Sequence, residues 1–374
     1  MLKFASPLLD EETIAAVAEV LRSGQITSGP WVERFEDALS TFCEGRPVRV
    51  LTSATAAVEV ALHVAGIGPG DEVITSGQTF FTVLNMIVKV GATPVLVDCE
   101  PVTRNLDLEA VKRRLGPRTR AIIPTHWPGS VMDLDALYTL ALDHSVRVIE
   151  DAALVLGSRY DDKPIGAQGD LVTFSFHPNK NITAIEGGAL VMNDAHEVSK
   201  VEELRFHGIR RLPDGTRDVA TASGKFNLPD VNARIGVAQL LRLPAFLARR
   251  RALAERYFAR FATEPGCELP PRPRADDGAT WNMFCILLPL SDLRISRAQF
   301  RAALAERGIA TGISYEALHL TTLGRRFGYH RGDLPVTERI ADTTVTLPLH
   351  AAMTEGDVER VCAACAEVIA SGRK

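Results

Sequence analysis

The chain has 374 residues, of which 46% are apolar and 24% are charged, and its formal net charge is -4 at pH 7. This composition excludes a disordered chain and gives no indication of a nucleic-acid-binding surface. The length exceeds what a single hydrophobic core usually serves, so we expect two packed domains.

The start of the chain, residues 1–7, shows no basic stretch followed by an apolar one, and no segment approaches the roughly 20 apolar residues that cross a bilayer. We therefore predict a cytoplasmic location. Cys362 and Cys365 fall on the apolar stripe of a predicted last helix, and no second cysteine pair with ligand spacing accompanies them. We predict that they pack a helix and that the protein has no metal site.

Short runs rich in β-branched residues alternate with helical patterns through the first two thirds of the chain. This alternation predicts an α/β fold with a mainly parallel sheet flanked by helices. In such a sheet, functional residues lie in the loops at the carboxyl ends of the strands. The predicted strands are 48–52, 72–75, 94–98, 120–125, 147–151, 172–176 and 189–192, and the helices between them include 54–65, 83–90, 108–115 and 134–143.

The pattern changes near a segment rich in Pro, Asp and Gly, residues 265–278, which we interpret as a joint between domains. A strand-like run at 283–288, helices at 296–307 and 355–370, and a short strand at 343–347 follow it. We therefore predict a large domain over residues 1–245 and a smaller C-terminal α+β domain over residues 246–374.

Two residues at predicted strand ends have side chains suited to cofactor chemistry. Lys180 lies just beyond the strand 172–176, and a primary amine there can form a Schiff base with an aldehyde cofactor. Asp151 ends the strand 147–151. In an enzyme that uses pyridoxal 5'-phosphate (PLP), such a carboxylate holds the proton of the pyridine nitrogen. An aspartate at this position also caps helices, and the pattern alone leaves both roles open.

Two further strand ends fit the same cofactor. Ser53, Ala54 and Thr55 begin a helix with small residues, which suits either a phosphate or a plain helix cap, and Ser175 adds a hydroxyl. Phe80 follows another strand and suits either stacking on a planar ring or core packing. Each pattern is weak alone, but together lysine, aspartate, helix start and aromatic ring predict a PLP site.

Long ordered motifs resemble those of the DegT/DnrJ/EryC1/StrS family of sugar aminotransferases, within the fold type I PLP enzymes. The resemblance runs nearly end to end and is nearest to the subgroup that aminates C4 of UDP-linked 4-keto sugars. It is carried by GQITSGP from Gly24, LTSATA from Leu51, VIEDAA from Val148, FSFHPNKNIT from Phe174, EGG from Glu186, RFHG from Arg205, GKFNLPDVN from Gly224, GIATG from Gly308 and LPLH from Leu347.

The resemblance implies a role for each matching residue. Lys180 would carry the cofactor and a proton, and Asp151 would pair with the pyridine nitrogen. Phe80 would stack on the ring, and Asn227 would reach the phosphate from the neighbouring subunit of a homodimer. The phosphate cradle would be formed by Ser53, Ala54, Thr55 and Ser175, and substrate contacts would come from Ser28, Glu186, Tyr315 and His319.

Two positions depart from the family pattern. Leu154 stands three residues after Asp151, where the family usually carries His or Gln to contact the cofactor. Ser130, within Gly129-Ser130-Val131, replaces a larger polar side chain. Covalent chemistry stays available, but the electronic tuning of the ring and the preferred substrate are put in doubt. Tyr315 and His319 are equally compatible with plain packing.

We therefore expect a PLP-dependent aminotransferase that moves an amino group from glutamate to a nucleotide-linked keto sugar, for lipopolysaccharide, other cell-surface polysaccharides or amino-sugar biosynthesis. Amination of a keto-cyclitol for an antibiotic stays open, because it uses the same catalytic groups. A non-catalytic regulatory homologue is the third alternative, with Leu154 as a sign of decay.

Overall fold

The computed structural model describes residues 1–127, 130–262, 266–273 and 278–374. The nine strands predicted from the sequence are present, with ends that shift by one or two residues, and four strands of two or three residues were not predicted. The strands are β1 Val48–Leu51, β2 Glu72–Ser76, β3 Thr93–Val97, β4 Thr119–Ile123, β5 Arg147–Asp151, β6 Arg159–Tyr160, β7 Lys163–Pro164, β8 Leu171–Ser175, β9 Gly188–Val191, β10 Ile209–Arg211, β11 Arg217–Val219, β12 Phe284–Leu287 and β13 Thr344–Leu347.

The helices connect these strands, and several of them begin at a side chain that caps the helix. Ser53, Asp133 and Asp194 each accept a hydrogen bond from a first-turn amide of the helix that follows. The helices are α1 Glu11–Ser23, α2 Pro30–Phe42, α3 Ala54–Val64, α4 Phe81–Lys89, α5 Leu108–Arg114, α6 Leu134–Asp143, α7 Ala195–Leu204, α8 Asp230–Ala262, α9 Arg297–Glu306, α10 Thr322–Arg325, α11 Pro335–Thr343 and α12 Glu355–Gly372.

Seven strands form the main sheet in the order β1-β9-β8-β5-β4-β2-β3. Strand β9 pairs antiparallel with both of its neighbours, and all the other pairings in the sheet are parallel. Six strands therefore run in one direction, and their carboxyl ends lie along one edge of the sheet. This confirms the mainly parallel seven-stranded sheet predicted from the sequence.

Alternate residues along each strand pack into different cores on the two faces of the sheet. Val148 and Val172 face one core, which helices α2, α5 and α6 cover, whereas Ile149 and Leu171 face another core, which helices α3, α4 and α7 cover. Side chains that alternate between two buried faces are expected for a sheet sandwiched between helix layers. The layers hold the strands rigidly and so fix the positions of the loops at their ends.

A third core lies in the C-terminal part of the chain, between β12, β13, α9, α12 and the second half of α8. Cys362 and Cys365 are buried there. Helix α8 is continuous across the predicted boundary at residue 245. Buried side chains of this helix up to Leu247 pack in the first core, and those from Leu253 onward pack in the third. The division into residues 1–245 and 246–374 stays a prediction, and residues 265 and 274–277 of the expected joint lie outside the described residues.

None of the helices in the described residues combines the length and the apolar character that spanning a lipid bilayer requires.

Candidate active site

The carboxyl ends of strands β1, β2, β4, β5 and β8 meet at one edge of the main sheet, together with the first residue of the antiparallel β9. In the register of the sheet, Gly188 pairs with Leu51 on one side and with Ser175 on the other. This pairing brings the start of α3, which follows β1, next to the end of β8. Residues far apart in sequence therefore line one cavity.

The cavity at this edge has a volume of about 190 Å³. Most of the residues predicted for the site line it: Ser53, Ala54, Thr55, Phe80, Asp151, Ser175, Lys180, Glu186 and Tyr315. Its wall also includes Thr82, Thr125, Leu154, His177 and Asn179. The cavity therefore joins hydroxyls, one amine, two carboxyls and two aromatic rings.

Lys180 lies in the loop that follows β8, and hydrogen bonds to the backbone hold this loop in place. The Lys180 amide donates to the His177 carbonyl at 2.9 Å, and the Asn282 side chain donates to the Asn179 carbonyl at 3.2 Å. Burial lowers the pKa of Lys180 to about 8, against the opposing effect of the Asp151 charge. The amine is therefore neutral, and so nucleophilic, far more often than a solvated lysine.

Asp151 is the last residue of β5, and its carboxylate is buried and hydrogen-bonded. Oδ1 accepts a hydrogen bond from the Ala153 amide at 3.1 Å, and Oδ2 accepts one from Thr125 Oγ1 at 3.3 Å. Burial raises the pKa of Asp151, and the nearby Lys180 opposes that rise. The bond to Ala153 closes a turn, and the next element along the chain is β6 rather than a helix, so the helix-cap alternative is wrong for this aspartate, whose carboxylate lines the cavity.

The start of helix α3 suits an anion. Ser53 caps this helix by accepting a hydrogen bond from the Ala56 amide at 3.1 Å, and Thr55 Oγ1 lies 2.9 Å from Thr82 Oγ1. A Cβ at Gly188 would lie 2.3 Å from the Ser53 carbonyl carbon and 2.4 Å from the Ala54 nitrogen, so only glycine allows this approach. The free first-turn amides and small side chains form a cradle for a phosphate.

Apolar side chains form the remaining walls. Phe80 is 48% exposed at the start of α4, and its ring centroid lies 5.5 Å from that of Tyr315. This exposure favours stacking on a ligand over core packing. Leu154 is buried in a cluster with Trp127, Met283 and Cys285, with Tyr315 packed against it. The position where the family usually has His or Gln therefore presents hydrocarbon to the cavity.

Three predicted site residues lie elsewhere. Asn227 and Ser28 line a separate cleft, where Asn227 Nδ2 donates to Ser28 Oγ at 2.9 Å. His319 is fully buried, with Nε2 2.9 Å from Glu338 Oε1, and it does not line the described cavity. The expectation that His319 lines the sugar pocket is therefore not met in this chain, because the short helical turn at Leu318–Leu320 turns the imidazole toward α11.

Sequence reasoning missed Thr82, Thr125, His177 and Asn179. The predicted strand ended at Thr125, whereas β4 ends at Ile123 and Thr125 lies in the loop beside Asp151. Its position at the end of a strand was the available signal. Ser130 lies on the surface side of this loop, where its carbonyl accepts a hydrogen bond from the Asn105 side chain at 3.4 Å, and Gly129 lies outside the described residues.

The comparison with known protein families gives one match, the DegT/DnrJ/EryC1/StrS aminotransferase family, over residues 7–366. This chain belongs to that family. The match covers nearly the whole chain, so the main sheet, the cavity and the C-terminal part are all included.

Solved structures agree with this assignment. Spr1654 from Streptococcus pneumoniae, described as a sugar aminotransferase, is 29% identical over 99% of this chain and 98% of that chain, with a TM-score of 0.93. DesV from S. venezuelae is 33% identical over 98% of both chains, with a TM-score of 0.88. PseC from Helicobacter pylori, an aminotransferase involved in pseudoaminic acid biosynthesis, is 27% identical over 99% of both chains, with a TM-score of 0.92.

Spr1654 has been solved in forms with PLP and with its aminated counterpart PMP, and the family is PLP-dependent. The protein is therefore a PLP-dependent aminotransferase. The chemistry of the cavity fits this cofactor. The start of α3 suits the phosphate, Phe80 and Leu154 offer faces for a planar ring, Asp151 suits a protonated ring nitrogen, and Lys180 suits an aldehyde.

Proposed function

We propose that this enzyme transfers an amino group from glutamate to the ketone of a nucleotide-linked sugar, a 4-keto-hexose or a 4-keto-pentose. The observation that carries the proposal is the Lys180 amine, whose pKa of about 8 leaves it readily neutral in the same cavity as Asp151 and the start of α3. A sugar acceptor is supported by the similarity to Spr1654, which is described as a sugar aminotransferase.

Bound PLP supplies an aldehyde that takes up an amino group and a ring that accepts electrons from the bond broken at the substrate carbon. In the proposed mechanism, Lys180 would hold the cofactor covalently through its Nζ atom. When free of the cofactor, the same Nζ atom would carry a proton away from the α-carbon of the donor. Its lowered pKa matches this work, because the same amine must accept a proton and later give it up near neutral pH.

The other residues of the cavity position the cofactor in this proposal. Asp151 keeps the ring nitrogen protonated, because a buried carboxylate gains most from a positive partner. Ser53, Thr55 and Ser175 hold the phosphate together with the first amides of α3. Phe80 and Leu154 cover the ring and keep water from its faces.

An acceptor larger than a small keto acid has room beside this cavity. A second cavity of about 300 Å³ shares Phe80, Asn179 and Tyr315 with the first, so the two are adjacent. Its wall combines Phe81, Met283 and Ile313 with a few polar groups, of which Ser314 and Glu316 are examples. This composition suits a sugar, which offers both an apolar ring face and hydroxyls.

The charges of a nucleotide diphosphate and of glutamate need partners that these cavities do not supply. Among the described residues that line them, Lys180 is the one lysine and no arginine occurs. We propose a homodimer in which a second copy of the chain completes each site. A two-fold symmetric dimer is the commonest kind of oligomer. Our candidates for the shared residues are Asn227, Ser28 and Arg211. Asn227 and Ser28 pair in a cleft away from their own subunit's cavity, and Arg211 lies at the exposed end of β10.

The product would enter amino-sugar biosynthesis, for lipopolysaccharide or another cell-surface polysaccharide. The cytoplasmic location expected from the sequence stays a prediction.

A donor and acceptor panel tests this function. PLP-loaded protein is incubated with glutamate, glutamine or alanine and with UDP- or dTDP-linked 4-keto sugars or a keto-cyclitol, and products are identified by mass spectrometry. We expect glutamate-dependent amination of a nucleotide-linked sugar. Amination of the cyclitol alone would select the antibiotic-type alternative. A protein that PLP never colours, and that borohydride never labels at Lys180, would support a non-catalytic homologue.

Co-expression of two variants tests the shared site separately. In a shared-site dimer, Lys180→Ala and Asn227→Ala subunits combine to give one intact site and one site with both changes. Because random pairing makes about half of the dimers hybrid, we expect activity to recover to about a quarter of the wild-type level. Recovery no greater than the average of the two variants alone would exclude Asn227 from the partner's site.

A further inference from the structure

Asp151 receives a hydrogen bond on each carboxylate oxygen, and one of these bonds continues into a second hydroxyl. Thr125 Oγ1 lies 3.3 Å from Asp151 Oδ2 and also 2.7 Å from Thr79 Oγ1. Thr79 is fully buried and Thr125 is 4% exposed. Solvent therefore has little access to these hydroxyls, and the two threonines bond to each other and, through Thr125, to Asp151.

The direction of both bonds follows from proton counting. An ionised carboxylate only accepts hydrogen bonds, and each hydroxyl has a single proton to donate. Thr125 must therefore donate to Asp151, which leaves its oxygen free to accept the proton of Thr79. Each carboxylate oxygen keeps a further lone pair, so Asp151 can still accept a hydrogen bond from a protonated ring nitrogen.

The surroundings of Asp151 make this support necessary. Burial raises the pKa of Asp151, whereas Lys180, the Ala153 amide and the Thr125 hydroxyl each act to lower it. When Lys180 is neutral its contribution is lost, and the two hydrogen bonds remain. Leu154, on the neighbouring wall, offers no polar group in their place.

We propose that Thr79 and Thr125 are positioning residues, which form a two-hydroxyl relay that keeps Asp151 ionised and aimed at the ring nitrogen of PLP. The proposal rests on the role proposed for Asp151. It also bears on Leu154, because the relay would act on the ring nitrogen through Asp151 in a chain that has no His or Gln at position 154.

Isosteric variants test the relay. Valine at either position keeps the shape and removes the hydroxyl, and serine at position 125 restores it. The measured quantities are the PLP dissociation constant of cofactor-free protein, from an absorbance titration, and the rate of the half-reaction with the amino donor. We expect Thr125→Val to raise the PLP dissociation constant and to lower the rate, each by about tenfold or more, as for loss of a hydrogen bond to a charged group. We expect both quantities in Thr125→Ser to stay within about threefold of wild type.

The double variant separates a relay from two independent contacts. Thr79 acts only through Thr125, so we expect Thr79→Val to cost a few-fold alone and almost nothing in a Thr125→Val background. Thr75→Val is the matched control, because Thr75 is also fully buried and donates to the Ile123 carbonyl at 2.7 Å without touching Asp151. We expect it to lower the melting temperature of cofactor-free protein and to leave PLP affinity unchanged.

Three results would overturn the relay: unchanged PLP affinity and rate in Thr125→Val, additive effects in the double variant, or losses that follow the melting temperature in all variants, Thr75→Val included. The PLP titration needs no sugar acceptor. Failure of the proposed sugar specificity would therefore leave this test intact, and the two proposals can fail separately.

Discussion

The active-site cavity has two walls of different origin. One is built at the edge of the main sheet, where Asp151 and Ser175 end strands that are fixed by backbone hydrogen bonds and Lys180 lies in the loop after β8. The other is built by Tyr315 from the C-terminal part and by Leu154, which pack with Trp127 and Met283 as an apolar cluster. The first wall is polar and held by sheet register, and the second is held by side-chain packing.

This difference separates chemistry from selectivity. A side chain at a strand end has little freedom, because moving it would break the ladder of the sheet. A side chain in a packed cluster can be exchanged for another of similar volume at a modest cost in stability. We therefore expect substitutions in the sheet-edge wall to change rates by orders of magnitude, and substitutions in the packed wall to change stability and substrate preference.

The largest effect is expected for Lys180→Ala, which removes the amine of the sheet-edge wall. Loss of the covalent anchor and of the proton carrier should lower the rate of amino transfer at least about a thousandfold. Single-turnover kinetics with the amino donor measure it. Lys163→Ala, at the exposed lysine of β7, is the control and should keep full activity. Turnover that persists in Lys180→Ala would refute the central assignment.

Asp151→Asn comes next, with an expected rate loss of about a hundredfold or more, because a neutral amide does not hold the proton on the ring nitrogen. Asp107→Asn provides the comparison, since Asp107 caps α5 through the Glu109 amide at 2.9 Å and asparagine caps helices equally well. If Asp151 only closed its local turn, both variants would keep their activity. The melting temperature of cofactor-free Asp151→Asn should not fall, because the change removes a buried charge.

The sheet-edge wall was the more predictable of the two from sequence. Strand ends can be read from β-branched runs and from the polar residues that follow them, and in a parallel sheet those ends must meet. Lys180, Asp151, Ser175 and the start of α3 were all predicted in this way, and the structure brings them into one cavity. Local sequence was sufficient because the backbone topology brings these distant positions together.

The packed wall was less predictable, because its members come from separate segments that no local pattern connects. Leu154 was noted as a departure from the family, but its cluster with Trp127 and Met283 was not expected. His319 lies in a motif after Gly308, yet its imidazole pairs with Glu338 away from the cavity. Side-chain direction in a loop depends on tertiary contacts, so a motif places such a residue only approximately.

The pH dependence of cofactor attachment tests whether the amine of the polar wall is buried. Attachment requires the neutral amine, and burial favours the neutral form of a lysine, so the pKa of Lys180 falls to about 8 from 10.5. We expect the attachment rate of cofactor-free protein to rise about tenfold per pH unit up to that value and to level off above it. Stopped-flow absorbance with PLP measures the rate.

The Asp151→Asn variant provides the internal check for this profile. The charge of Asp151 acts to raise the pKa of Lys180, so its removal should move the midpoint to lower pH. A midpoint near that of a solvated lysine in the wild-type protein would show that the amine is not buried as the structure has it. A midpoint that moves upward in the variant would contradict the assigned electrostatic coupling.

The smallest effect on rate is expected for Leu154→Gln, which places an amide in the packed wall. Leu154 is 2% exposed among apolar neighbours, so we expect the free energy of unfolding to fall by about 1–3 kcal/mol, the cost of burying an unpaired polar group. The rate should change by less than about tenfold, and the cofactor absorbance maximum should shift because a polar group now adjoins the ring.

Leu156→Gln is the control, since Leu156 is 3% exposed in the first core and does not line the cavity. It should lose similar stability without a spectral shift. An unchanged spectrum in Leu154→Gln would mean that this side chain does not adjoin the ring. The packed wall would then have no role in holding the cofactor, and the proposed division between a polar wall for chemistry and an apolar wall for fit would be wrong.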